Sequence, residues 1–325
     1  MKINGIRTQV KKIPLKTPFI TALRRVENVE FVSVEVLCDD NFVAYGEAPS
    51  TKAITGEDLE TISTSICNIK AQLVGLTPQK ALEIVHQSSM GSSAKAALDM
   101  AMVALLAQEQ KKELYEYLGA DKKIEIKTDI TISLNVVDEM LEDARLALSS
   151  GLELLKVKLG SDIDHAIAIT QVLCKELPKA TLLIDANQAW SLEASLKYVD
   201  AVNGLKIELI EQPVAANDLE SLKHITQVSQ IPILADEAAF NLSDVKNIVE
   251  NNYADMINIK LMKCGGVTKA IEILEYAREK NVKCMLGSML EGPTSIKVAE
   301  QLAMAYPDVI KYVDLDSPLL YKEEV

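Results

Sequence analysis

The sequence predicts an α/β protein: a (β/α)8-type, modified TIM barrel over residues 126–325, preceded by an N-terminal α+β domain over residues 1–125. Three observations carry this. From Lys127 onward, short apolar, β-branched segments alternate with stretches of helical periodicity. Three of these segments end abruptly in an acid, at Asp185, Glu211 and Asp236, spaced roughly 25 residues apart, about one strand-plus-helix unit. Before Lys127 the order differs, with strands first and helices after, as in a compact α+β domain.

Residues 2–46 read as antiparallel strands. Val29–Val36 is partly alternating, Asp39-Asp40-Asn41 is turn chemistry, and Phe42–Glu47 returns as the partner. Phe19–Asn28 lacks periodicity and carries adjacent Arg24 and Arg25. It is either a solvated loop or a lid whose arginine meets an anionic substrate. Helices are expected from Gly56 to Leu76, from Thr77 with Pro78 at the first helical position, from Ser92 to Gln110, and from Glu113 to Leu118, closed by Gly119. The barrel strands are expected at Thr128–Ser133, Leu154–Leu159, Thr181–Ala186, Ile207–Gln212, Ile231–Asp236, Met256–Leu261, Val282–Gly287 and Val313–Asp316. No Gly-x-Gly-x-x-Gly follows any of them, which disfavours a doubly wound open sheet. Only a short stretch follows the eighth strand, which leaves the last helix of a full barrel in question.

With 325 residues, the length allows two domains or one enlarged barrel, and 48% hydrophobic with 25% charged residues is ordinary for a soluble globular chain. A net charge of −13 argues against nucleic acid and against an anionic membrane surface. Five scattered cysteines without a Cys-x-x-Cys pair suit a reducing cytoplasm rather than a disulfide framework or a zinc site. The N-terminus lacks the apolar core of a signal peptide, and no apolar run approaches the roughly 18 residues needed to span a bilayer.

Parallel barrel strands point their C-terminal ends to one rim. Asp185, Glu211 and Asp236 would therefore converge there as hard oxygen ligands, and the natural occupant is Mg²⁺. A single such acid reads equally well as a helix N-cap; three at matching strand ends favour the metal. Lys156 and Lys158 are two apart on the second strand and so share one side, which reads either as the inside of the barrel or as the solvated side of an edge strand; the barrel favours the inside. Lys260 ends the sixth strand, and strands two and six oppose each other across an eight-stranded barrel. Lys158 and Lys260 would face each other across the cation. One would remove a proton α to a carboxylate, the metal would stabilise the enediolate, and the other would return the proton to the opposite face. Asp314 and Asp316 share a face of the last strand and read either as receptors for a substrate ammonium or as a structural pair or cap. His86, His165 and His224 fall in or near predicted helices and read as structural, and neither a Gly-x-Ser-x-Gly elbow nor a P-loop is present.

Together, Lys156-Val157-Lys158, Asp185-Ala186-Asn187-Gln188, Glu211-Gln212-Pro213, Ala235-Asp236-Glu237 and Asn258-Ile259-Lys260-Leu261 resemble the muconate-lactonizing subgroup of the enolase superfamily, over nearly the whole chain. That superfamily uses a Lys or His base with Mg²⁺. The resemblance implies that the N-terminal domain is a capping domain with specificity loops. It implies that Asp185, Glu211 and Asp236 bind Mg²⁺, that Lys158 and Lys260 are the bases, and that Lys156 supports the substrate carboxylate. Asp314-x-Asp316 looks like the signature of dipeptide epimerases, where the pair holds the ammonium of the dipeptide. Arg24 sits where epimerases of the L-Ala-D/L-Glu type have an arginine for the glutamate side chain. Thr131, Ser288 and Met289 resemble substrate-contacting positions. The implied partner is a small-molecule dipeptide, and the implied setting is the processing of cell-wall (murein) peptides, with a homo-oligomer left open. An N-acylamino acid racemase, an o-succinylbenzoate synthase or a cycloisomerase would keep the same barrel and metal, but their substrates offer no ammonium to Asp314 and Asp316. A non-catalytic binding protein is a third reading, opposed by the pair of facing lysines. Relatives usually continue further beyond the eighth strand and return to the capping domain, so the resemblance leaves that domain's packing open here.

Overall fold

A computed structural model describes residues 1–22 and 25–323. The N-terminal domain opens with a three-stranded antiparallel sheet of β1 (Ile3–Ile20), β2 (Arg25–Cys38) and β3 (Val43–Pro49), in the order β1-β2-β3. Most of the segment expected as a loop at Phe19–Asn28 is strand, because β1 and β2 stay paired to Phe19↔Val26 and Ile20↔Arg25 after a register shift that begins at Pro14. Pro14 lacks a backbone donor, so a break in the ladder falls naturally beside it. Leu23 and Arg24 lie outside the described residues.

Five helices follow: α1 (Lys52–Thr55), α2 (Leu59–Leu73), α3 (Pro78–Gln87), α4 (Ser92–Glu109) and α5 (Leu114–Tyr117). The helix expected to open at Gly56 starts later. Gly56 instead ends α1 in the left-handed conformation, with φ 77°, and Asp58 caps α2 by accepting from Thr61 N at 3.0 Å. Thr77 caps α3 as expected, accepting from Lys80 N at 3.4 Å. Helix α4 is buried on nearly every side, as a helix lodged between β3 and the barrel must be.

The barrel strands are β4 (Ile130–Ile132), β5 (Leu154–Lys158), β6 (Thr181–Asp185), β7 (Ile207–Glu211), β8 (Ile233–Ala235), β9 (Met256–Lys260), β10 (Lys283–Gly287) and β11 (Ile310–Asp314), each pairing in parallel with the next in order. Between them run α6 (Val137–Ser149), α7 (Ile163–Glu176), α8 (Leu192–Val202), α9 (Leu219–Val228), α10 (Leu242–Glu250), α11 (Leu261–Cys264), α12 (Val267–Lys280) and α13 (Pro293–Ala305). The seam between β4 and β11 is stitched by Asp129 N donating to Val313 O at 3.0 Å and Leu315 N donating to Thr128 Oγ1 at 2.8 Å. Strand β11 begins three residues earlier than expected, since the exposed Lys311 interrupts its apolar run. It also ends earlier: Asp316 is not on the strand but at the N-terminal flank of the one-turn α14 (Ser317–Leu320), which carries Pro318 in its first turn, and its side chain makes no capping bond.

Two interior layers are stacked along the barrel axis. The lower one is apolar: Leu183, Leu209, Leu234, Met256, Met285 and Tyr312 form a closed cluster with Leu154 against it. The capping domain is fastened across the upper rim. Glu47 Oε2 accepts from Thr294 N at 2.8 Å and Ser295 N at 3.2 Å, at the start of α13. Asp99 on α4 accepts from Thr268 N at 3.2 Å and pairs with His86 Nε2 at 2.8 Å. The chain after β11 returns to the capping domain. Leu15 bridges Tyr321, Lys322 N donates to Pro14 O at 2.9 Å, and Tyr321 is buried with Leu15, Phe31 and Leu290.

Candidate active site

Two residues above the apolar layer on each strand, the interior becomes charged. Register places Lys158 beside Asp185 and Asp185 beside Glu211, and Asp236 follows β8 by one residue. All three acids are buried, at 0%, 0% and 2% exposure, as are Lys156 at 0%, Lys158 at 6% and Lys260 at 7%. Charges this deep persist only with partners. Lys156 Nζ lies 2.6 Å from Asp314 Oδ2, 2.7 Å from Glu211 Oε2 and 3.2 Å from Asp185 Oδ2. Lys158 Nζ is 2.6 Å from Asp185 Oδ2, and Lys260 Nζ is 2.7 Å from Asp236 Oδ2.

The three acids therefore occupy neighbouring strand ends, but each is turned to lysine rather than gathered on one point. Among the described residues, the acids whose oxygens lie within 4.8 Å of one another are Asp129, Asp314 and Asp316. The donor chemistry around Asp185, Glu211 and Asp236 nonetheless suits a hard cation. Asn187 Oδ1, Glu237 Oε2 and Asn258 Oδ1 are buried acceptors without a hydrogen-bond partner among the described residues. Glu211 Oε2 meets Lys156 Nζ only as an ion pair, without hydrogen-bond geometry. The amides hold the acids in place: Asn258 Nδ2 donates to Glu211 Oε1 at 2.7 Å and Asn187 Nδ2 to Glu237 Oε1 at 3.3 Å. An all-oxygen set of this kind is what Mg²⁺ takes.

The field in this layer splits the groups. Burial pushes the Glu211 carboxyl up to about 8, with Asp185 adding to it. Burial and then Asp236 push Glu237 up to about 7. Burial also opposes ionisation of Asp185 and Asp236, but Lys158 and Lys156 outweigh it at the first, and Lys260 and Lys263 at the second, so both are held below the usual carboxylate range. Burial draws the Lys260 ammonium down, yet Asp236 outweighs it and holds the group above its ordinary value.

One cleft at the rim is lined by Lys158, Asp236, Lys260, Thr131, Ser288, Met289, Asp314 and Asp316, with Phe19 and Thr21 from the hairpin and Ala53 and Ile54 from α1. Both lysines of the expected two-base pair thus open onto the same space. Lys156, Asp185 and Glu211 do not line that cleft; they lie beneath it. Thr131 N donates to Asp316 Oδ2 at 2.7 Å, and Ser288 Oγ to Asp314 O at 3.2 Å. Met289 N donates to Glu291 Oε1 at 2.8 Å. Arg24, the expected contact for a side-chain carboxylate, lies outside the described residues.

Sequence reasoning missed several groups. Lys263 is 3% exposed; its Nζ donates to Asp236 Oδ1 at 2.5 Å, Asp236 O at 2.6 Å and Asn258 O at 2.9 Å, which fixes the Asp236 carboxylate. Its place three residues after Lys260, on the one-turn α11, was the available signal. Gln212 Oε1 accepts from Asp236 N at 3.0 Å and Ala238 N at 3.1 Å, tying the ends of β7 and β8 together. It stands at φ 37°, and Asn187 and Gln188 at 44° and 66°, left-handed conformations that non-glycine residues rarely take and that cluster here behind the acids. Gly287 keeps space open: a Cβ there would sit 2.7 Å from Asn258 Oδ1 and 3.1 Å from Lys260 Cε.

Comparison with known proteins agrees over both domains. Residues 3–119 match the mandelate racemase / muconate lactonizing enzyme N-terminal domain, and residues 139–325 match the enolase C-terminal domain-like family. The L-amino acid-D/L-Glu epimerase of Sulfurimonas denitrificans is 59% identical over 324 residues, covering 99% of this chain and 95% of the relative. A substrate-liganded complex of the L-Ala-D/L-Glu epimerase from Bacillus subtilis superposes with a TM-score of 0.96 at 37% identity, covering 100% of this chain and 92% of that one. The dipeptide epimerase of Enterococcus faecalis V583, complexed with Mg and L-Leu-L-Tyr, superposes with a TM-score of 0.95 at 33% identity, covering 100% and 93%.

Proposed function

We propose, for a chain that belongs to the mandelate racemase / muconate lactonizing enzyme family of the enolase superfamily, the activity of a Mg²⁺-dependent dipeptide epimerase. Its relatives are epimerases, and the chain is an isomerase of that kind. The reaction is a 1,1-proton transfer at the α-carbon of the C-terminal residue of a dipeptide such as L-Ala-L-Glu. Within this reading residues 1–125 are the capping domain and residues 126–325 the barrel. The cysteine pattern favours the cytoplasm, and the family resemblance favours murein peptides as the source of substrate.

The observation that carries the reading is one cleft holding Lys158 and Lys260 from opposite strands together with the Asp314–Asp316 pair. Asp185, Glu211 and Asp236 would hold the Mg²⁺. When bound, Mg²⁺ supplies positive charge where negative charge develops on the substrate carboxylate as the α-proton leaves. Lys158 and Lys260 reach the α-carbon from its two faces, one removing the proton and the other returning one. Each is tied to an acid of the metal set, so engagement of that acid elsewhere removes the lysine's counter-ion and favours its neutral, basic form. Lys156 and Lys263 stay buried and hold the acids. Asp314 and Asp316 receive the ammonium. Thr131, Ser288 and Met289 line the path of the peptide, and Arg24 receives the glutamate side chain.

Proton NMR in D₂O with L-Ala-L-Glu and Mg²⁺ tests this. The glutamate α-proton signal should vanish and the L-D diastereomer appear, while N-acetyl-L-Ala-L-Glu, which has no ammonium, should exchange far more slowly. Faster exchange of an N-acylamino acid than of any dipeptide would replace the reading with an acylamino acid racemase.

A further inference from the structure

We propose that Asp129 is a positioning residue for the dipeptide ammonium: a buried carboxyl group that shares one proton with Asp314 and Asp316, so that three acids form a receptor for a single positive charge. The proposal rests on the dipeptide reading above. Asp129 immediately precedes β4, two residues before Thr131 and on the same face of the chain. Its backbone is fixed across the barrel seam to Val313 O, and its side chain is fully buried.

The three carboxyl groups form one cluster, with one oxygen from each lying within 4.8 Å of the other two. The donors nearby serve only two of them. Lys156 Nζ donates to Asp314 Oδ2 at 2.6 Å, and Thr131 N donates to Asp316 Oδ2 at 2.7 Å. Both oxygens of Asp129 are buried without a hydrogen-bond partner among the described residues. An ionised carboxylate in that position would be among the costliest groups in the molecule. A carboxylic acid would instead donate to the acids beside it, and carboxylates that share a site keep a proton between them. Charge counting agrees. Fully ionised, the three acids carry three negative charges against Lys156, which Glu211 and Asp185 also claim. One substrate ammonium leaves an excess negative charge, and one retained proton removes it. The charged groups whose fields reach Asp129 are Asp314 and Asp316 from β11 and its end, Lys156 from β5 and Glu211 from β7. Burial, followed by the two aspartates, pushes the Asp129 carboxyl well above the usual carboxylate range. Burial and Asp314 push Asp316 up to about 6.

The test uses the full chain with Mg²⁺ and two variants. Infrared difference spectra of protein carrying ¹³C-labelled aspartate should show a protonated carboxyl band at neutral pH that is lost in Asp129→Asn. Asp129→Asn keeps a neutral donor and should leave KM for L-Ala-L-Glu close to that of the parent. Asp129→Leu removes the donor and should raise KM by about tenfold or more with a smaller change in kcat. Absence of the band overturns the proposal, as does a KM increase in Asp129→Asn equal to that in Asp129→Leu, which would mark Asp129 as an ionised arm of the receptor. Loss of a bound metal ion in Asp129→Asn would make the cluster a cation site and overturn it too. An unchanged KM in both variants overturns the positioning role. If the parent turned over no dipeptide at all, the functional reading would fail, and the infrared band would still decide the state of Asp129.

Discussion

Two layers of the same barrel differ by one pleat. Below lie Leu154, Leu183, Leu209, Leu234, Met256 and Tyr312; two residues on along the same strands come Lys156, Asp185, Glu211, Asp236, Asn258 and Asp314. Residues two apart on a strand share a face, so both sets point into the barrel. The lower set seals the interior and contributes stability through burial. The upper set spends some of that stability on buried carboxylates and ammonium groups, which are held in place by ion pairs, including those to Lys158, Lys260 and Lys263, and by amide donors such as Asn258 Nδ2. The difference teaches where a site can be built: the charged layer lies directly beneath the rim cleft, on strands whose lower halves are packed into an apolar core.

The largest expected effect comes from breaking the upper layer at the proposed Mg²⁺ ligands. Asp236→Asn should leave the far-ultraviolet circular dichroism intact and abolish turnover, and exhaustive EDTA treatment of the parent should do the same until Mg²⁺ is restored. Calorimetric titration should show loss of Mg²⁺ binding in the variant; full activity after EDTA treatment would contradict the assignment. Arg24→Ala comes next. One charge-assisted contact is worth about 1.5–3 kcal/mol, or roughly ten- to hundredfold in kcat/KM on L-Ala-L-Glu. The loss should be much smaller on a dipeptide ending in an apolar residue; equal losses would assign Arg24 to loop folding, and a selective loss in Arg25→Ala alone would move the contact to that residue.

The lower layer should respond in the opposite way. Leu209→Ala should cost about 2–5 kcal/mol in denaturant unfolding, while kcat/KM per folded molecule stays near the parent's. A pH series sharpens the contrast further. The folded protein holds protons on Glu211 up to about 8 and on Glu237 up to about 7 because burial raises both. The unfolded chain has lost those protons by then, so the folded state binds more protons and stability falls as pH rises. The melting temperature of EDTA-treated protein should therefore drop between about pH 5 and pH 8, and Mg²⁺ should reduce the drop. A flat profile without metal would mean that these acids ionise freely. The smallest effect belongs to the surface: Arg7→Ala breaks an exposed pair with Glu35 at 3.2 Å and should change stability by no more than about 0.5 kcal/mol.

The barrel was legible because its strands are apolar runs with a chemical signature at the end, and burial on both faces demands such runs. Asp185, Glu211, Asp236, Lys158 and Lys260 stood out because a charge closing an apolar run needs an explanation. Strand β11 was misplaced because Lys311 faces solvent within it, and because the strand ends at Asp314, leaving Asp316 at the start of the one-turn α14. Lys263, Gln212 and Asp129 escaped notice because their roles depend on partners far away in sequence, or on the absence of partners. The return of Tyr321 to Leu15 was hidden for the same reason, since a bridge spanning the whole chain leaves no local pattern.

The most direct test of the opposed-lysine account measures α-deuterium exchange in Lys158→Ala and Lys260→Ala, each with L-Ala-L-Glu and with L-Ala-D-Glu in D₂O. Neither variant should epimerise, since general acid–base catalysis at one face, worth about 10²–10⁴-fold, is gone. Each should still exchange the α-proton of one diastereomer, and the two variants should retain opposite ones. Epimerisation at the parent's rate in both, or exchange confined to the same diastereomer in both, would contradict a site with one base on each face.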